Sequence, residues 1–317
     1  MSTTSNNFDD SSISLYELLR LLLDAKKKII IGTLVFAISS VVIALSIPNE
    51  FESSSVLQVA ESDEGAGSSL SSISQRFGGL ASLAGINLSG GGGDRSAFAV
   101  ELIKSRELLF DIIDKQLVPE LTAKLIASEG YNASTKRIKF NPKLYDQTTK
   151  EWLRDPPAGR SKIPSKLETH TKYRERLNVG IDEETGFLRI NFRHHSPVFA
   201  KEFLSMIIGH ANEVARSKAL YDSTKSLEFL YKQLESTPQS ELKFAINQLI
   251  ESQLNTQMLA NVREDYLLRV IDSPYVPELK SYPVRSTLCV IITLAGFMLC
   301  IIAVIIQHIY RRFIANP

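Results

Sequence analysis

Two apolar runs near the ends of the chain constrain its fold more than anything else in the sequence. Ile29 to Ile47, IIIGTLVFAISSVVIALSI, is 19 residues without a charge, and Pro48 follows it. Leu288 to Ile306, LCVIITLAGFMLCIIAVII, is also 19 residues without a charge. As a helix each spans roughly 28 Å, close to the ~30 Å hydrocarbon core of a bilayer. Core helices of soluble proteins rarely run this long without a charged residue, so both runs read as membrane helices. A cleaved signal peptide fits the first run poorly. Asp9, Asp10, Glu17 and Asp24 precede it, and no short basic region opens the chain.

The flanks set an expected orientation. Arg20, Lys26, Lys27 and Lys28 precede the first run, whereas Asn49-Glu50-Phe51-Glu52 follows it. Arg311 and Arg312 follow the second run, and Arg285 alone lies on its other side. The positive-inside rule then puts both termini in the cytoplasm. The expected organisation is a cytoplasmic segment 1–28, membrane helix 29–47, outer domain 48–287, membrane helix 288–306 and cytoplasmic tail 307–317. Neither flank is long enough to bury a core of its own, so no cytoplasmic enzyme or signalling domain is expected.

Charge and cysteine content narrow the function. The chain has 36 Lys+Arg and 35 Asp+Glu, a net charge of +1, so no basic field points to nucleic acid. The two cysteines, Cys289 and Cys300, share one apolar run, which excludes a disulfide scaffold and a cysteine zinc site.

Within the outer domain, Ser54 to Ala60 reads as a short strand, with burial on both faces possible. Ser62 to Asp94 is a Gly/Ser-rich loop. Phe77, Leu80, Leu83 and Ile86 recur within it every three residues, as either an amphipathic helix or a flexible linker. The run Gly90-Gly91-Gly92-Gly93 that ends it is not followed by Gly-Lys-Ser/Thr, so it lacks the lysine of a phosphate-binding loop. Ser96 to Leu117 reads as one helix with Ala99, Leu102, Ile103, Leu109, Ile112 and Ile113 on one face. Residues 119–172 are polar and proline-punctuated and should hold short elements, with Trp152 as a packing anchor. Leu177–Ile181 and Phe187–Arg193 form the clearest hairpin, turning at Asp182–Gly186 with one wet face.

Ser196-Pro197 has the signature of a helix start, and Thr237-Pro238 stops the helix near Ser236. Forty-odd residues extend about 60 Å, so part of this helix must leave the base. Leu220, Leu227 and Leu234 repeat every seven residues, with Leu230 beside them, as a coiled-coil-like seam with oligomer contacts expected there. A second helix is expected from Ser240 to about Ile271, with Leu242, Ile246, Leu249 and Ile250 on one side. The base is then about 48–196 and 272–287, and the projecting hairpin about 197–271. The fold class is α+β: two membrane helices flanking an α/β base with a long helical hairpin.

Site chemistry is sparse. No nucleophile elbow, His-Glu-x-x-His or Walker motif occurs, so no catalytic residue, cofactor or metal is expected. His194-His195 follows a strand and faces two ways, which cannot hold a metal alone. Asn87-Leu88-Ser89 and Asn132-Ala133-Ser134 match the glycosylation tripeptide, a frequent chance pattern. The distinctive stretch is Ser273 to Arg285, where Pro274, Pro277 and Pro283 keep the chain extended ahead of the second membrane helix. It reads as a connector that fixes the angle of that helix, with Arg285 at its end. Small residues four apart, Ser40 and Ala44 in the first helix and Gly296 and Cys300 in the second, suit close helix packing.

These features together resemble the chain length determinant (Wzz) family of polysaccharide co-polymerases, over nearly the whole chain. The resemblance rests on Ile13-Ser14-Leu15-Tyr16-Glu17-Leu18-Leu19, the lysines at 26–28 and Phe51-Glu52-Ser53-Ser54-Ser55-Val56-Leu57. It continues in Thr185-Gly186-Phe187, the Ser196-Pro197 helix start, Met258-Leu259-Ala260-Asn261-Val262-Arg263 and, most specifically, Pro283-Val284-Arg285. Pro-Val-Arg departs from the Pro-Lys-Arg-like run common in the family. The chain looks like the short class, without a kinase domain. The resemblance implies a non-enzymatic bacterial inner-membrane protein with a periplasmic domain that sets the modal length of a surface polysaccharide, with lipopolysaccharide O-antigen the first candidate. It further implies a ring of identical subunits working with a Wzy-type polymerase, the growing polysaccharide and membrane lipid as partners. The alternative is a polysaccharide export adaptor, or a co-polymerase for capsule or exopolysaccharide.

Overall fold

A computed structural model describes residues 23–60, 92–156 and 158–315. The Ile13–Leu19 segment, the Phe77–Ile86 repeat and the Asn87 tripeptide lie outside the described residues. The chain divides into two units, residues 1–49 with 281–317 and residues 50–280.

The first unit is a pair of helices, α1 (Lys26–Ser46) and α8 (Arg285–Ala315). Both have the length and hydropathy to cross a membrane. Only 17% of the apolar window of α1 and 6% of that of α8 is buried, so neither is the core helix of a soluble fold. Hydroxyls within α1 bond back to the helix, Thr33 Oγ1 to the Ile29 carbonyl and Ser40 Oγ to the Ala37 carbonyl, each at 2.7 Å. That leaves no free polar group to face hydrocarbon at these positions.

The second unit is built on a four-stranded antiparallel sheet. Its strands are β1 (Phe51–Val59), β6 (Leu177–Ile181), β7 (Leu188–His194) and β8 (Leu268–Asp272), in the order β6-β7-β1-β8. Along β7, Leu188, Ile190 and Phe192 are buried and alternate with Arg189, Asn191 and Arg193, the one-wet-face pattern expected. The β6–β7 turn carries Gly186 at φ 71°, a left-handed conformation that favours glycine. Asp182 Oδ1 accepts from the Glu184 and Thr185 amides and organises that turn. β1 is longer than expected and buries one face rather than both: Ser53, Ser55 and Leu57 point in.

The expected helix over 96–117 is two helices, α2 (Gly92–Lys104) and α3 (Arg106–Asp114). Ser105 breaks it: its backbone is extended (φ −69°, ψ 153°) and its hydroxyl accepts from the Leu108 amide, capping α3. Residues 121–176 hold the expected short elements: α4 (Leu121–Ile126), β2 (Ser128–Asn132), β3 (Arg137–Phe140), β4 (Tyr145–Asp146), β5 (Glu151–Trp152) and α5 (Lys166–Arg176). Trp152 packs on Tyr145, ring centroids 5.2 Å apart.

The 40-residue helix α6 (Pro197–Ser236) starts and stops as the sequence predicts, with Ser196 Oγ accepting from the Phe199 amide. Its first five turns, Pro197 to Ala215, lie in the sheet core, so the hairpin proper begins beyond them. Phe199 and Phe203 stack at 5.4 Å, and Phe203 meets Phe192 edge-on at 4.9 Å. α7 (Ser240–Val262) is shorter than the helix expected to Ile271. Arg263 turns extended (φ −89°, ψ 121°), and Leu268–Asp272 pairs with β1 instead. The apolar residues at 267, 268 and 270 belong to a strand, because the free edge of β1 competes for their backbone more strongly than helix continuation does.

Candidate functional site

The connector begins at the sheet. Ser55 Oγ donates to the Asp272 carbonyl at 2.6 Å, and Ser53 Oγ to the Tyr275 carbonyl at 2.8 Å. Two fully buried serines of β1 therefore pin the chain as it leaves β8. Burial of a hydroxyl is tolerable only when it is bonded, and both serines meet that condition. Pro277 and Pro283 are buried and Pro274 is half-buried, whereas Leu279 is 82% exposed. The Tyr282–Pro283 peptide is cis. Arg285, the first residue of α8, donates from Nη2 to Asn49 Oδ1 at 3.1 Å, joining the chain just past α1 to the start of α8.

The membrane pair is close-packed along one stripe. Ser40 and Ala44 are 1% and 2% exposed, and Gly296 is buried while Cys300 is half-buried. A Cβ on Gly296 would fall 2.3 Å from Cγ of Phe36, and one on Gly32 2.5 Å from Sγ of Cys300. Gly32 and Phe36, absent from the residues singled out by spacing, extend the stripe of Ser40 and Ala44 by two further steps of four. That longer repeat could have exposed Gly32. A Cβ on Gly32 would also lie 3.7 Å from Cβ of Cys300, near the mean Cβ separation in a disulfide, about 3.8 Å. Gly32→Cys in a Cys289→Ser background is therefore expected to form an intramolecular disulfide nearly quantitatively with a mild oxidant. Gly296→Leu on top of it should abolish the bond. Mass spectrometry of the alkylated chain reads both outcomes.

The helix seam is internal. Leu227 (7% exposed) and Leu230 (2%) pack with Ile246, Leu249 and Ile250 of α7, and Leu234 rests against the cluster. Leu220 is half-buried outside it. The leucine repeat thus holds α6 to α7 within one chain. What it leaves open is apolar: Tyr221, Tyr231, Phe244, Leu254, Met258 and Val262 are 47–76% exposed.

Polar groups that the sequence did not single out organise the base. Asn212 of α6, 5% exposed, accepts from the Leu267 and Leu268 amides at 2.9 and 2.7 Å and donates to the Leu268 carbonyl at 2.9 Å. Its amide acts as one more strand residue facing β8. Arg154 donates to the Lys162 and Ser161 carbonyls and to Glu168, whose carboxyl it holds below the usual range. His210, 2% exposed, lies 2.7 Å from Asp111 and 3.3 Å from Glu213 and ties α6 to α3. The Asp111 carboxyl is lowered chiefly by its hydrogen bond to Lys115, with His210 contributing.

The two adjacent histidines do face two ways. His194 Nε2 donates to the Lys124 carbonyl at 2.9 Å while Nδ1 accepts from the Ser196 amide at 3.0 Å, which assigns the neutral tautomer. His195 lies 3.9 Å from Glu50. Burial, and then the Arg176 charge, push the His194 pKa well below its ordinary value. The unfolded chain titrates near 6.5, so below that pH it binds a proton that the folded chain refuses. Stability is lost as pH falls from about 6.5, by at most about 1.4 kcal/mol per unit for this one group. Denaturant midpoints of the full chain in micelles between pH 7 and 5 should fall, and His194→Gln should flatten that dependence. An equally steep fall in the variant would assign the effect elsewhere. Among the described residues, no group of three or more His, Cys, Asp or Glu could hold a metal.

Fold and site define a class: a mixed helix-and-strand domain whose sequence lies between two candidate membrane helices and which bears a helical hairpin. Residues 11–116 match the family model described as Wzz, chain length determinant protein. The resemblance to the Wzz family drawn from the sequence is thereby supported in the part of the chain that includes the first membrane helix and β1. A solved structure described as a full-length bacterial polysaccharide co-polymerase is 11% identical, with a TM-score of 0.38, over 95% of this chain and 99% of that chain. No curated protein matches the chain.

Proposed function

We propose that this protein regulates the chain length of a bacterial surface polysaccharide and is not itself an enzyme. The observation that carries the reading is the Wzz family match over residues 11–116, which runs through α1 and into the sheet. In this reading the membrane is the bacterial inner membrane, both termini are cytoplasmic and residues 48–287 form the periplasmic domain. The basic flank Lys26–Lys28 before α1 supports that orientation.

The polymer is lipopolysaccharide O-antigen, and the partner is a Wzy-type polymerase that the membrane helices contact. Identical subunits assemble as a ring. The apolar residues that the α6–α7 seam leaves uncovered favour this, since a helix pair in water keeps such a surface only when something buries it. The ring holds polymerase or growing chain until a typical length is reached. The proline connector transmits the position of the domain to α8.

The test is the polysaccharide ladder of a deletion strain on a denaturing gel, beside its complemented parent. A modal cluster in the parent and a smooth decay toward short chains in the mutant are expected. An unchanged ladder with polymer accumulating inside the cell would favour an export adaptor instead.

A further inference from the structure

The α1–α8 seam includes a close approach of Gly32 to Cys300. Beyond that contact the two helices leave a groove lined by Lys28, Cys300, Ala303, Val304, Gln307 and Tyr310. Lys28 lies one step of four before Gly32, so it stands on the same stripe of α1 that forms the tight seam.

The groove's length and charge both point to one kind of occupant. From Cys300 to the end of the apolar run at Ile306 is six residues, about 9 Å of helix, which lies within one leaflet of a ~30 Å hydrocarbon core, with Gln307 and Tyr310 at its polar edge. The lining offers one cation, a carboxamide and a phenol, and no carboxylate. An apolar trough within one leaflet, with an ammonium group at its end, complements an acyl chain with an anionic headgroup.

We propose that this groove binds an anionic glycerophospholipid, with an acyl chain laid along Cys300, Ala303 and Val304 and its phosphate held by Lys28. The proposal rests on the reading that α1 and α8 cross a membrane. Bound there, the lipid fills the space that the packed stripe leaves open, and so fixes the angle at which the two helices diverge.

Native mass spectrometry of the full chain, released from micelles containing dioleoylphosphatidylglycerol or dioleoylphosphatidylcholine, tests it. The phosphatidylglycerol should be retained about fivefold better, the effect of one basic residue near a lipid surface. Lys28→Gln should erase the preference. Ala303→Phe, which fills the groove, should reduce retention of both lipids. Equal retention by the unaltered chain, or a preference that survives Lys28→Gln, overturns the proposal. So does displacement of the phosphatidylglycerol by an equimolar polyprenyl diphosphate, which would give the groove to a glycan carrier. A changed subunit count in Ala303→Phe with lipid retention intact would give it to a second copy of the chain. Alkaline carbonate extraction of cell membranes separates the underlying reading. Release of the chain overturns the membrane crossing and the lipid site together, whereas a chain that stays in the membrane but shows no lipid preference overturns the lipid site alone.

Discussion

In an Asn212→Leu variant, the domain of residues 50–280 is expected to lose about 3 to 5 kcal/mol of stability. Leucine keeps the branched skeleton of the side chain and preserves the helix, so the effect falls mainly on the lost amide. Three backbone groups of Leu267 and Leu268 now end on that side chain. All three lie in the core, where Leu267 is 1% exposed and Leu268 is fully buried. Each buried group left without a partner costs about 1–3 kcal/mol, and partial relaxation keeps the total below the sum. The loss should appear as a large drop in the urea midpoint of the full chain in micelles, with the slope unchanged. Amide exchange should rise first in β8. A midpoint within about 0.5 kcal/mol of the parent, the usual range for surface substitutions, would show that β8 is held by β1 alone.

Leu227→Asp should open the hairpin while the sheet stays folded. The leucine sits in a small cluster of its own, Leu227, Leu230, Ile246, Leu249 and Ile250, separate from the main core. Removing a buried leucine costs about 2–5 kcal/mol, and the carboxylate resists burial further. Protection of α7 amides against hydrogen exchange should therefore fall by roughly two to three orders of magnitude, since each 1.4 kcal/mol is about tenfold. The Phe192–Phe199–Phe203 core should keep its protection. If the hairpin sets assembly, the complemented strain should also lose its modal polysaccharide cluster. A normal cluster with an open hairpin would separate length control from the helices and weaken the proposed function at that point.

Legibility in the sequence followed how local each signal was. Ser196-Pro197 and Thr237-Pro238 bound α6 correctly because caps and prolines act within one turn. The β7 alternation and the Gly186 turn were equally plain. Errors came where a distant partner decides. Leu268 and Val270 suit a strand or a helix by composition, and the open edge of β1, some 210 residues away in sequence, chose the strand. Ser105 broke a periodic helix because a cap competes with continuation, a contest that the apolar face alone does not reveal. The buried serines of β1 were not singled out, since the carbonyls that satisfy them belong to residues 272 and 275. Of the membrane stripe, Ser40, Ala44, Gly296 and Cys300 were visible as small residues. Phe36, large and apolar, was not, because its role is defined by the absence of a side chain on Gly296.

β1 and β8 are antiparallel neighbours, with Val56 opposite Asp272. The chain therefore enters β1 and leaves β8 at the same end of the pair, and each end continues within a short stretch into a candidate membrane helix. Any pull that drew those two helices apart would reach this pair as an opening tension at its tip, parting one rung at a time rather than sliding many at once. Ser53 and Ser55 stand at that tip and lace it shut with bonds from side chain to backbone. Mechanically, the domain would yield first at these two rungs, so the force at which two serine hydroxyls let go sets how far the anchors can be drawn apart before the sheet comes undone.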